Sequence, residues 1–302
     1  MLVRSKSGYL VQVPCGKCYG CLRKKQRELA VRLSLDVKNA FVARFVTLTY
    51  EDTHLIKDYV DKETGEIFPL PSVTKDELQR FFKRLRKLLN YDSRETKMMY
   101  YASAEYGDHT KRPHYHIILY FLGKNTLCYD LDKAIEKCWQ KCDWNMVNRE
   151  KCIQGIDTDG AYMYVAKHQM KKCQGSELQA PYFQLRSKGI GASFFSDKSQ
   201  VDFAVKNGYL IYDRHKKCAI PRYFKEKLGI ETTDGKLRAI HKENLDKDNI
   251  KFEHAWKYYH QSHPNVPRET FVRKYFKKLI KDFNYSEEYS QIMYNKLKNC
   301  KI

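Results

Sequence analysis

Residues Arg112 to Phe121 read Arg-Pro-His-Tyr-His-Ile-Ile-Leu-Tyr-Phe. The near-leading proline suits a strand start and not a helix interior, and β-branched and aromatic residues follow as far as Gly123. The stretch therefore reads as a strand. Strand side chains alternate faces, so His114 and His116 project together while Tyr115 projects to the other side. Neutral imidazole is the commonest protein metal ligand, and two on one rigid strand supply a pair of nitrogens at small ordering cost. Standing alone, a His-x-His pair is more often a hydrogen-bonded surface feature, so its neighbours must choose between the two readings.

Immediately upstream, Met98 to Glu105 reads as a second strand, and the Tyr106-Gly107-Asp108 corner turns it into the histidine strand as a hairpin. That pairing would bring Glu105 beside the histidines, a two-His, one-carboxylate set with open coordination positions, with Asp108 as a second acid candidate. Further back, Phe41 to Tyr50 is a β-prone run, followed by a polar excursion from Glu51 to Ser72 with a turn near Thr64 and Gly65. Thr74 and Glu77 form a capping box for a helix whose Leu78, Phe81, Phe82, Leu85, Leu88 and Leu89 recur at helical spacing. Its other face, Arg80, Lys83, Arg84 and Lys87, is either solvated or a contact for DNA backbone.

Downstream, Asp130 to Gln140 reads as a helix, Trp144 to Ile153 as a strand, and Ala161 to Lys172 as a helix led in by Gly155 to Gly160. Strand, helix, strand, strand, helix, strand is the ferredoxin-like order, an α+β fold with an antiparallel sheet and helices on one face. Three regions are expected: an N-terminal Cys-containing basic helical segment (1–40), the core (41–180) and a basic, mainly helical C-terminal extension (181–302). In the first, Cys15, Cys18 and Cys21 precede a helix from about Leu22 to Val37. Three thiols are one short of a closed zinc site, and Cys128, Cys138, Cys142, Cys152 and Cys173 are candidate fourth ligands, so structural zinc and free thiols both stand. In the last, Phe271, Val272, Tyr275, Phe276, Leu279, Ile280 and Phe283 form an apolar stripe, best read as a helix packed on its own domain.

The 302 residues carry 56 Lys plus Arg against 36 Asp plus Glu, a formal charge of +20, yet 42% are hydrophobic, which argues against disorder. Cations for phosphates, interleaved with 23 Tyr and 15 Phe for unstacked bases, favour a nucleic-acid partner. The opening residues hold no apolar run suited to a signal peptide, and no uncharged apolar segment reaches the ~18 residues of a membrane span. A cytoplasmic protein with reduced cysteines and no membrane contact is expected.

On the helix expected at 161–172, Tyr164, Lys167, His168 and Lys171 share a face, whereas Tyr162 is turned away from Tyr164. A phenol has a free pKa of about 10, and nearby cations and a metal would favour the phenolate, a nucleophile suited to phosphate.

Phe-Val-Thr-Leu-Thr-Tyr at 45–50, Ala-Glu-Tyr-Gly at 104–107, Arg-Pro-His-Tyr-His at 112–116 and Tyr-Val-Ala-Lys at 164–167 stand in the order of the motifs of HUH endonucleases. More narrowly the chain resembles the rolling-circle replication initiation proteins of microviruses, of the gokushovirus type, which the Pro-Cys-Gly-Lys-Cys at 14–18 also resembles; the similarity covers roughly residues 14–225. That resemblance implies a nickase for phage origin DNA acting in the cytoplasm of a bacterial host. His114, His116 and Glu105 would hold Mg²⁺ or Mn²⁺, Tyr164 would attack to leave a 5′-phosphotyrosine and a free 3′-OH, and Lys167 would neutralise charge. Lys171 would help position the strand, and host polymerase and helicase would be partners. Related initiators often carry a second tyrosine four residues on; here that position is His168, leaving Tyr162 as the alternative second nucleophile. Rival readings are an HUH transposase or relaxase, and a non-catalytic single-stranded nucleic-acid-binding module.

Overall fold

The computed structural model describes residues 2–4, 10–12, 19–107, 109–156, 162, 178–212, 216–230, 250–275 and 277–278. The chain divides into two units, one of Lys25–Ile220 and one of Met1–Lys24 with Pro221–Ile302.

In chain order, β1 (Leu2–Arg4) and β2 (Leu10–Gln12) form a short antiparallel pair, and α1 spans Tyr19–Lys38. Then come β3 (Val42–Leu48), the small hairpin of β4 (Tyr59–Val60) and β5 (Ile67–Phe68), α2 (Lys75–Leu89), β6 (Thr96–Tyr106) and β7 (Pro113–Gly123). After β7 follow α3 (Leu131–Cys138), a single turn α4 (Arg149–Cys152), β8 (Ile153–Gly155) and β9 (Gln184–Arg186). A helix at Lys198–Asn207 and the antiparallel pair β10 (Tyr209–Tyr212) and β11 (Lys216–Ala219) close this unit.

Five strands form one antiparallel sheet in the order β8-β3-β7-β6-β9. Its first four strands carry the ferredoxin-like order expected from the sequence, with each helical crossover skipping one strand. The β6–β7 hairpin is the long central pair, in register from Thr96 opposite Gly123 to Tyr106 opposite Pro113. At its far end Gly123 has φ +92°, and a Cβ there would sit 2.0 Å from the Glu95 carbonyl oxygen, so only glycine fits.

Alternation along β7 explains both layers. Tyr115, Ile117, Leu119 and Phe121 face α2 and α3, where they bury against Leu78, Phe81, Phe82, Leu85 and Trp139. Ile118 and Tyr120 face the other way, with Met99 and Tyr101 of β6, against Leu29, Ala30 and Leu33 of α1. Full burial of one such side chain contributes roughly 1.5–3 kcal/mol, so packing holds α2 in place despite its many like charges. The helices of the repeat thus lie on one face as expected, and α1 from the N-terminal segment covers part of the other.

One carboxylate ties α1 down. Asp36, fully buried, accepts from the Tyr120 hydroxyl at 2.7 Å, Gly191 N at 2.6 Å and Ser193 N at 3.1 Å. Burial first, then Asp36, raises the Tyr120 pKa above its ordinary value, so this hydroxyl stays a donor.

The N-cap of α2 is Thr74, whose hydroxyl accepts from Glu77 N at 3.4 Å, in line with the capping box. The expected strand at Trp144–Ile153 is not formed over that range. Asn148 instead caps the α4 turn, accepting from Lys151 N, and strand pairing begins only at Ile153. Local side-chain capping there outcompetes a ladder for residues with few apolar side chains. The helix expected at 161–172 lies outside the described residues except for Tyr162, which is helical. In the other unit, helices at 250–262 and 268–275 pack Phe252, Trp256, Tyr259 and Tyr275 around buried Phe271. No helix among the described residues is long and apolar enough to cross a membrane.

Candidate metal centre

The register of the central hairpin builds the site. Glu105 of β6 lies directly opposite His114 of β7, and Ser103 opposite His116, so the carboxylate and both imidazoles share one sheet face. Their ligand atoms all lie within 4.8 Å of one another. The two imidazoles meet nearly edge to face, centroids 4.8 Å apart at 77°. Glu105 is 3% exposed and His116 8% exposed, while His114 is only half-buried.

Each imidazole is oriented through its Nδ1. His114 Nδ1 is 3.2 Å from the Arg112 carbonyl, which can only accept, so Nδ1 carries the proton and Nε2 the lone pair. His116 Nδ1 is 3.0 Å from Thr47 Oγ1 on β3, where the same tautomer makes the threonine the acceptor. Phe45, two residues before Thr47 and on the same face, stacks on the His116 ring with centroids 5.7 Å apart at 18°. The hairpin loop is held by Gly107 N donating to Arg112 O at 2.9 Å. The Arg112 guanidinium donates to Tyr50 O at 2.6 Å and pairs with Asp52.

Behind the histidines, on the opposite face, the strand is pinned by buried phenols. The Tyr115 hydroxyl lies 2.9 Å from that of Tyr50, accepts from Thr74 N at 3.0 Å and donates to Thr74 O at 3.1 Å. Tyr106 accepts from Val73 N at 3.1 Å and donates to Ala180 O at 2.7 Å. Burial pushes Tyr115 up to about 12 and, with the neighbouring Tyr115 hydroxyl, raises Tyr50 further. These are neutral, structural phenols that face away from the cluster.

Two imidazole nitrogens and one carboxylate oxygen, preoriented and incomplete as a coordination sphere, fit a divalent cation that keeps open positions. The structure therefore gathers Glu105, His114 and His116, as the sequence predicted. Tyr162 is 7% exposed, in the apolar layer with Leu29, Leu33 and Met99. Tyr164, Lys167, His168, Lys171 and the acid candidate Asp108 lie outside the described residues. So do Cys15, Cys18 and Cys173; Cys21 is half-buried in the first turn of α1. Of the proposed fourth zinc ligands, Cys138 is part of the core and burial pushes Cys142 up to about 12, which disfavours the thiolate zinc requires. Sequence reasoning missed Thr47 and Phe45. Their spacing puts them on one face, but only the β3–β7 register, with Thr47 opposite His116, identifies which face.

A family model described as replication-associated protein ORF2 matches residues 43–173, which contain this sheet and its hairpin. The chain is 30% identical over 234 residues to replication-associated protein ORF2 of Spiroplasma virus 4, covering 74% of this chain and 69% of that protein. It is 26% identical over 223 residues to replication-associated protein VP4 of Bdellovibrio phage phiMH2K, covering 70% and 66% respectively. A 26% match over 240 residues to replication-associated protein ORF4 of Chlamydia phage 1 covers 72% of this chain but 53% of that longer relative. No solved structure matches. A ferredoxin-like sheet bearing a Glu-His-His cluster is the class that fold and site define. Within it, the chain belongs to the replication-associated protein ORF2 family, alongside the replication proteins of these microvirus-type phages.

Proposed function

We propose that this protein initiates rolling-circle replication of a phage genome by nicking origin DNA, single-stranded or in the duplex replicative form, with Tyr164 as nucleophile and Mg²⁺ or Mn²⁺ as cofactor. The observation that carries the reading is the convergence of Glu105, His114 and His116 within 4.8 Å on one sheet face. The ion these three residues would hold supplies Lewis-acid polarisation of a phosphate oxygen when bound.

The chain's own residues supply the rest. Tyr164 loses its proton and bonds to phosphorus as the bond from phosphorus to the 3′ oxygen breaks; that oxygen leaves with the electron pair and takes up a proton. The products are a 5′-phosphotyrosine and a 3′-OH that primes host polymerase. Because the tyrosyl ester keeps a phosphodiester-like bond, attack by a 3′-OH reverses the step and rejoins ends. Lys167 favours the phenolate and offsets phosphate charge, and Lys171 positions the strand. His168 stands where a second tyrosine would be, and the burial of Tyr162 supports Tyr164 acting alone. Cys15, Cys18 and Cys21 remain a candidate structural zinc site. Origin DNA, host polymerase and host helicase are the partners, met in the cytoplasm of the bacterial host.

Nicking of an origin oligonucleotide with Mn²⁺ tests this. Tyr164→Phe is expected to abolish the covalent adduct and Tyr162→Phe to keep it; the reverse pattern would overturn the assignment. A non-catalytic binding module would form no adduct in any variant.

A further inference from the structure

The helical layer on the back of the sheet carries charge that the metal centre does not use. On α2, Gln79, Arg80, Lys83, Arg84, Arg86 and Lys87 are exposed; on the adjacent α3, Lys133 and Lys137 are exposed. Arg84 Nε donates to the Cys138 carbonyl at 2.9 Å, which joins the two helices into one surface. The acids of these helices are already engaged: Asp76 with Lys62, Glu77 with Arg80, Asp132 with Arg44 and Glu136 with Arg149. Lys83, Arg84, Arg86, Lys87, Lys133 and Lys137, by contrast, form no ion pair among the described residues.

That arrangement costs the folded chain something. Lys83 with Lys87, and Lys133 with Lys137, stand four residues apart, where like charges on a helix repel. An unneutralised cationic layer of this kind is complementary to a polyanion. Its shape selects the kind. Single strands are held by aromatic platforms, yet none of the exposed residues of α2 is a ring, and Tyr100 and Phe82 beneath them are stacked on each other at 3.8 Å. A row of cations without rings suits the regular backbone of a double helix.

We propose that the outward face of α2 and α3 binds the phosphate backbone of duplex DNA, as a second DNA surface on the opposite side of the sheet from Glu105, His114 and His116. It rests on the replication reading only in taking DNA as the partner. The surface would hold the double-stranded part of an origin or replicating circle while one strand is processed at the other face.

The test uses the full chain and the variant Lys83→Gln/Lys87→Gln/Lys133→Gln/Lys137→Gln. With a short origin duplex, the slope of log affinity against log salt is expected to fall by about 3–4, and affinity to fall at least about tenfold at low salt. Covalent adduct on a single-stranded origin oligonucleotide should be unchanged. Unaltered duplex affinity and slope would overturn the proposal, and so would an equal loss for a single strand. Lysine acetylation of the wild-type chain gives an answer that needs no variant: duplex should protect Lys83, Lys87, Lys133 and Lys137, and equal labelling with and without duplex would also overturn it. If wild type forms no adduct, the nicking reading fails while the duplex measurement still decides this one.

Discussion

Thr47 shows how much of the site depends on a single hydroxyl. Its Oγ1 at 3.0 Å from His116 Nδ1 holds the imidazole with Nε2 toward the cluster. Thr47→Val keeps the shape and removes the acceptor, so Mn²⁺ affinity is expected to fall by about 10-fold or more, with Thr47→Ser restoring it. Calorimetric titration of Mn²⁺ reads this directly, and unchanged affinity in the valine variant would show that Thr47 does not set the tautomer. At this scale the ligands were readable in advance, because strand alternation places His114 and His116 together and a tight hairpin brings Glu105 beside them. Thr47 was not, because its partner depends on a register between strands nearly seventy positions apart in the chain.

Among the elements, α1 and the central hairpin carry the sharpest consequences. Asp36→Ala would leave the Tyr120 hydroxyl and the amides of Gly191 and Ser193 without their acceptor in a buried place, costing about 3 kcal/mol in a urea unfolding curve. Gly123→Ala drives a methyl into the Glu95 carbonyl at a positive φ and is expected to cost roughly 3 kcal/mol as well, where an ordinary exposed Gly→Ala change would be neutral or mildly stabilising. A loss under about 0.5 kcal/mol in either variant would contradict the packing described. Elements with strong periodicity or a cap, such as α2 with Thr74 and β7 with its proline start, announce themselves in the sequence. Those fixed by tertiary pairing do not: β8 and β9 are three residues each and owe their extended backbone to β3 and β6, while α4 follows a local Asn148 cap.

For the whole molecule, the buried phenols make alkaline pH the weak side. Tyr115 is raised to about 12 by burial from an ordinary value near 10, and Tyr50, Tyr106 and Tyr120 are raised too, each first by burial. A group whose folded pKa lies above its unfolded one stabilises fully below the unfolded value, so this contribution should be intact below pH 10 and decline from 10 toward 12 as the unfolded chain ionises first. Unfolding midpoints against pH check it; no decline across that window would contradict the burial of these hydroxyls. The +20 charge read from composition finds a structural counterpart in the cationic helical layer, while the two layers of core answer to the apolar alternation of β7.

The most direct examination of the central claim is pulsed electron paramagnetic resonance of the protein loaded with Mn²⁺. Nitrogen couplings from two imidazoles are predicted, lost together with tight Mn²⁺ binding in His114→Ala/His116→Ala. Bound Mn²⁺ with no histidine nitrogen, or an unchanged spectrum in that variant, would contradict the account.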